Sequence, residues 1–137
     1  MGEITATLER ATHRIGGYLE PTLVEIGITQ GEAHVLAQLA RHGPTSIATL
    51  HHEFGHKRST LTNIGDRLER KHLVRRELNP SDRRSFVLHL TASGRRAAVR
   101  VTKRLDALER ELAARVTERD LAGLEAVSSA LETIARP

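Results

Sequence analysis

Apolar residues recur every three or four positions through most of this chain, and breaks in that period mark where helices stop. Ile4, Leu8, Ala11, Ile15 and Leu19 share one face, predicting a helix over residues 3–20. Pro21 is expected to end or kink it, leaving Thr22 to Ile28 as a second apolar piece that can again be helical. Thr29-Gln30-Gly31-Glu32 reads as a capping box, a hydroxyl at the cap with a carboxylate three residues later. The helix it opens runs to about Arg41 and buries Ala33, Leu36, Ala37 and either Leu39 or Ala40, before His42-Gly43-Pro44 stops it. A short strand is expected at Thr45. Ser46 can cap a helix ending at Phe54, with Ile47, Leu50 and Phe54 as its apolar stripe and Gly55 as its stop. A further helix, from Arg58 to about His72, turns Leu61, Ile64 and Leu68 to one side.

The period then changes. LVRREL and SFVLHL flank the turn Asn79-Pro80-Ser81-Asp82, with Arg83 and Arg84 at the loop tip. Leu78, Phe86, Leu88 and Leu90 alternate with polar neighbours, as a half-buried hairpin requires. Thr91 can cap a long helix from Ala92 to about Val116, whose Val101, Leu105, Leu108 and Leu112 follow a three-four seam. A last helix, from Glu118 or Arg119 to Ala135, carries Leu121, Leu124, Val127, Leu131 and Ile134.

Helix, turn, helix and hairpin over 46–90 make a winged helix-turn-helix, an arrangement that puts one helix into a DNA groove. The polar face of the second helix carries Arg58, Ser59, Thr62, Asn63, Asp66 and Arg67, donors and acceptors suited to base edges and phosphates. Ser59 and Thr62 can equally serve phosphate alone, which positions without specifying. Asp66 is expected to orient a nearby arginine. Arg84 can enter a minor groove, and Asp82 can hold the loop through its own backbone or Arg84.

The runs STLTNIGDRLERKHLVRR and NPSDRRSFVLHLTASGRR resemble the recognition helix and wing of the MarR-type (multiple antibiotic resistance regulator) transcription factors. The matching positions are Ser59, Thr62, Asp66-Arg67-Leu68, Leu73-Val74, Asp82, Arg84, Leu90-Thr91 and Gly94. The resemblance implies a mainly α chain, with residues 29–91 as the winged helix-turn-helix and residues 1–28 and 92–137 as dimerisation helices. It implies a transcription regulator, a repressor, that binds an inverted-repeat operator in double-stranded DNA as a homodimer. DNA contacts are then expected from Lys57, Arg58, Ser59, Thr60, Thr62, Asn63, Arg67, Arg83 and Arg84, with Asp66 and Asp82 supporting the wing. The dimer interface is expected at Ile4, Leu8, Leu112, Leu121, Leu124 and Leu131. A pocket for a small anionic aromatic effector would lie between the terminal helices and the DNA-binding lobe, lined by His13, Arg14, Tyr18 and His34; ordinary helix surface is the alternative for these four. The chain departs from the family pattern at Lys57, where a hydroxyl-bearing cap is usual, at His56, where the turn usually buries an aliphatic residue, and at Gly65 inside the helix.

Charge sharpens this picture. Residues 57–84 hold nine Lys/Arg against four Asp/Glu, net +5, while the remainder holds twelve against thirteen, net −1. The whole excess therefore lies in the second helix and wing, as phosphate binding requires. Three aromatics, Tyr18, Phe54 and Phe86, are too few for a single-strand stacking platform. The absence of cysteine excludes disulfides, thiol redox sensing and cysteine–zinc sites. Neighbouring His51 and His52 diverge on a helix, so with His56 they read as polar surface and partial packing; no metal or cofactor is expected, a metal-responsive regulator being the alternative. No nucleophile elbow or phosphate loop suggests an enzyme, and no membrane span or signal core is evident, so a cytosolic protein is expected. An effector-independent architectural DNA-binding protein is the remaining alternative.

Overall fold

The computed structural model describes residues 2–135, with Arg83 and Arg84 described for their backbone only. Six helices and a small antiparallel sheet follow in the order α1 (Glu3–Ile26), α2 (Gln30–His42), β1 (Thr45–Ser46), α3 (Ile47–Phe54), α4 (Arg58–Arg70), β2 (Val74–Asn79), β3 (Asp82–Leu90), α5 (Ala92–Ala113) and α6 (Glu118–Ala135). The chain divides between Arg104 and Leu105 into two compact units.

The first correction is at Pro21. α1 runs through it without a break, so the expected two pieces are one 24-residue helix. The carbonyl that a proline ring crowds is four residues back, and here it belongs to Gly17, which lacks a side chain and gives the backbone latitude. Leu19 and Leu23, on either side of the proline, are both buried and hold the two halves to one core.

α2 is the core helix. Ala33, Val35, Leu36, Ala37 and Leu39 are all buried, and Ala40 is exposed, which settles the open choice between Leu39 and Ala40. Thr29 caps it by accepting the Glu32 N–H at 3.2 Å. Ser46 caps α3 in the same way through the Thr49 N–H at 3.0 Å, and Gly55 ends α3 at φ 70°. α4 buries Leu61, Ile64, Gly65 and Leu68 and stops at Arg70, two residues earlier than expected. His72, at φ 59°, turns the chain out of the helix.

The sheet order is β1-β3-β2, with Thr45 paired to Leu88 and Arg75 to His89. Asn79 pairs with Asp82, so the turn is shorter than expected, and its Oδ1 accepts the Ser81 N–H at 3.1 Å. Arg83 and Arg84 therefore belong to β3 rather than to a loop tip. Of the four alternating apolar residues only Leu88 is fully buried; Leu78, paired with Phe86 at the last regular position before the shift at Leu78/Asn79, stands exposed.

α5 starts at a crowded joint. The Thr91 hydroxyl donates to the His72 carbonyl at 2.7 Å and accepts the Gly94 N–H at 2.9 Å. The Thr91 N–H donates to the Leu73 carbonyl at 3.1 Å. A Cβ on Gly94 would lie 1.8 Å from that same carbonyl oxygen. The first half of α5 is tied to α1 by an Arg100–Glu25 ion pair, and by Arg104, which covers the Tyr18 ring at 3.7 Å and donates to the Tyr18 carbonyl at 3.1 Å.

The second unit holds the end of α5, which stops at Ala113 rather than near Val116, and α6. Thr117 and Asp120 cap α6 reciprocally at 2.8 and 3.2 Å. Hydrogen bonds to the Asp120 carboxyl from the Thr117 backbone N–H, and then from its hydroxyl, hold that carboxyl below its ordinary value. No α6 residue is buried, and Leu121, Leu124, Leu131 and Ile134 are each at least half exposed.

Two glycines are expected to respond oppositely to alanine. At Gly65 a Cβ would meet Leu88 at 3.5 Å and Ile47 at 4.0 Å, ordinary contacts, so Gly65→Ala is expected to stabilise by ~0.5–1 kcal/mol through helix propensity. Gly94→Ala drives a methyl into backbone and is expected to cost at least ~3 kcal/mol. Urea melts of both variants check the pair.

Candidate nucleic-acid interface

The first turn of α4 is where the predicted contact residues gather. Lys57, Arg58, Ser59, Thr60 and Asn63 are all exposed, and Thr62 and Arg67 are half-buried beside them. Lys57 is the N-cap and makes no side-chain cap bond, so the first-turn N–H groups have no acceptor from it. Unsatisfied donors and a positive dipole end suit a phosphate oxygen. The Thr62 hydroxyl donates to the Arg58 carbonyl at 2.9 Å, leaving its lone pairs available as acceptors. The side chains of Arg83 and Arg84 lie outside the described residues.

Two charged clusters orient this helix. Arg76 on β2 meets Asp66 at 2.6 Å and Glu69 at 3.2 Å, and its guanidinium lies 5.0 Å from the Phe86 ring centre. Glu69 also accepts the Arg76 N–H at 3.3 Å. Arg76 thus ties the outer turns of α4 to the wing. On the opposite side the fully buried Glu32 of α2 receives Lys71 at 2.7 and 3.0 Å and Arg67 at 3.4 Å, with the Thr29 hydroxyl at 3.2 Å. Glu32, Lys71 and Arg76 were not singled out from sequence. Glu32 was visible only as the carboxylate of a capping box, a local role, because its partners lie 35 and 39 residues away. Arg67 stands in this cluster as well as on the expected contact list.

The histidines are dispersed. His51 Nδ1 donates to the His56 carbonyl at 2.5 Å, bracing the turn before α4. His56 is exposed and meets Phe54 edge-on, 6.4 Å between centres. Burial, reinforced by His56, holds the His34 imidazole below its ordinary value. The described residues contain no group of three or more His, Asp or Glu placed to hold a metal ion.

The four expected pocket residues do not share one environment. His13 and Arg14 are exposed on α1, Tyr18 lies under Arg104, and His34 is half-buried on α2. An open cleft of about 440 Å³ lies elsewhere, with Leu39, Pro44, Leu90 and Val99 as apolar wall and Arg75, His89 and Arg95 as polar lining.

A sequence model described as the MarR family matches residues 28–86. The chain is 32% identical over 94 residues to the HTH-type transcriptional repressor MdtR of Bacillus subtilis (strain 168), covering 69% of this chain and 61% of that protein. The chain thus spans less than two thirds of that relative. Among solved structures, the YusO protein from Bacillus subtilis is 27% identical with a TM-score of 0.61, covering 98% of this chain and 96% of that one. The S. aureus MepR–DNA complex shares the fold at a TM-score of 0.80 and 21% identity, covering 96% of this chain and 97% of that one.

His34 gives this region a pH dependence. Its folded value is depressed, so below the ordinary histidine value the unfolded chain binds a proton that the folded chain refuses. Stability is therefore expected to fall as pH drops from about 6.5 toward the folded value. His34→Gln should flatten that part of the profile. Melting temperatures of both proteins between pH 7.5 and 5 measure the difference.

Proposed function

Since the chain belongs to the MarR family, we propose that it binds double-stranded DNA as a homodimer and represses transcription from an inverted-repeat operator. The observation that carries this reading is the outer face of α4. Its exposed Arg58, Ser59 and Asn63 project from a helix whose far side is locked by Leu61, Ile64 and Leu68 and whose charges are held by Arg76 and Glu32. A rigid helix with a free polar face can enter a major groove and read base edges. In this reading Asn63 and Arg58 contact bases; Lys57, Thr60, Arg83 and Arg84 contact backbone; and Ser59 and Thr62 contact either. Repression is the role of MdtR, and the MepR–DNA complex shares the fold.

Dimerisation rests on the second unit. A helix with four large apolar side chains at least half exposed has an unspent burial face, and Ile4 and Leu112 are also exposed. A second copy supplies the matching surface, and two-fold symmetry then places two α4 helices on successive major grooves. The operator half-sites should be centred ~34–36 Å apart. Catalysis has no part in this function. No helix among the described residues is long and apolar enough to cross a membrane, and we place the protein in the cytoplasm with the DNA it reads. A small anionic aromatic effector belongs to the same reading. His13, Arg14, Tyr18 and His34 remain its candidate contacts, and the cleft bearing Arg75, His89 and Arg95 is a second location.

Footprinting of the DNA beside the protein's own gene tests the reading. Protection of one inverted repeat supports it; uniform coating points to an architectural protein instead. Asn63→Ala should cost ~1–3 kcal/mol on the operator and much less on random duplex, because non-specific affinity comes from phosphates. Leu124→Asp should shift sedimentation from dimer toward monomer, since an unpaired charge in a buried interface is costly. A wild type that sediments as a monomer at micromolar concentration would refute the dimer.

A further inference from the structure

Glu32 is placed for more than capping. A capping-box carboxylate needs only to satisfy its own helix start, and it can do so in water. This one is fully buried, and it collects two cations from the last turn of α4 and the residue that ends it. Arg67 and Lys71 are 41% and 37% exposed, so their charges sit at the surface with the neutralising carboxylate beneath them. By contrast Lys57, Arg58 and Arg70 are exposed and bond to no carboxylate among the described residues. The cations of α4 therefore fall into two sets, one available and one already occupied.

That division matters for a helix that reads DNA. Each cation reaching a phosphate adds affinity for every sequence alike and steepens the salt dependence. Occupied cations add neither. A carboxylate that also fixes the helix end keeps the base-reading face in one pose. Ion pairs of this kind are poor evidence of stability alone, since apolar replacements often serve as well.

We propose that Glu32 is a specificity-determining positioning residue, which withholds Arg67 and Lys71 from DNA phosphate and so lowers binding to random sequence. The proposal rests on the DNA-binding reading above.

The test uses the full chain, the footprinted operator and a random duplex of equal length, titrated between 50 and 200 mM salt. Glu32→Gln keeps the shape and removes the charge. It should bind random duplex more tightly at low salt, with a salt slope steeper by up to ~2, and the operator-to-random ratio should fall. Two freed cations enlarge the loss of random-duplex affinity across that salt range by about tenfold. In Glu32→Gln/Lys71→Met the added slope should halve. Lys71→Met alone should leave the wild-type slope on random duplex unchanged, a measurement that stands even if Glu32→Gln melts at the assay temperature. A purely structural Glu32 would instead weaken operator and random duplex together with the slope unchanged. That result, or a shallower slope in Lys71→Met alone, overturns the proposal. A wild type with no operator preference would overturn the sequence-specific reading itself, and this inference with it.

Discussion

The last turn of α4 is held by two arrangements that leave it little freedom. On one side Lys71 and Arg67 close on the buried Glu32 of α2. On the other, the chain leaves the helix through His72 at positive φ and passes so near α5 that only a glycine fits at position 94. Thr91 bonds both partners of that joint, the His72 carbonyl and the Gly94 N–H. The pose of the exposed Arg58, Ser59 and Asn63 depends on these contacts, because a helix anchored at its far end presents its near end in one direction. Positive φ at a non-glycine residue is a small strain that surrounding contacts must over-determine, and here they do.

Charge is distributed by the same logic. The excess of Lys and Arg in residues 57–84 is not one uniform basic face. Arg76 is divided among Asp66, Glu69 and the Phe86 ring, binding the wing to the outer turns of α4. Arg75 and His89 share Glu77 across the strand pair. What stays available lies mainly at the helix start, where the backbone dipole is also positive. Cations paired to carboxylates and cations left exposed thus alternate within a few residues of one another, and net charge alone cannot separate them.

The second unit follows a different economy. Its helix is well capped by Thr117 and Asp120 yet buries nothing of its own. Helical stability in proteins comes mostly from packing an apolar face rather than from propensity, and this helix has its apolar face still exposed. In the first unit, by contrast, α1 and α5 are joined by an ion pair and by Arg104 over Tyr18, contacts that belong to a finished core.

Much of this architecture was legible in the chain because the signals are local. Helical periodicity placed every helix, Thr29 and Ser46 marked two starts, Gly55 marked a stop, and the change to a period of two marked the hairpin. The same local rules failed at Pro21, where propensity says stop, but Leu19 and Leu23 are buried in one core and the helix continues. They also failed at Leu78, whose alternation says buried, although it stands in solvent at the turn end of β2, paired in register with Phe86. The pairing of Glu32 with Arg67 and Lys71, of Arg76 with Asp66 and Phe86, and of Gly94 with the Leu73 carbonyl was decided only by the tertiary structure. Periodicity reports which face of an element is apolar; it carries no information about which distant charge or carbonyl that element will meet once packed.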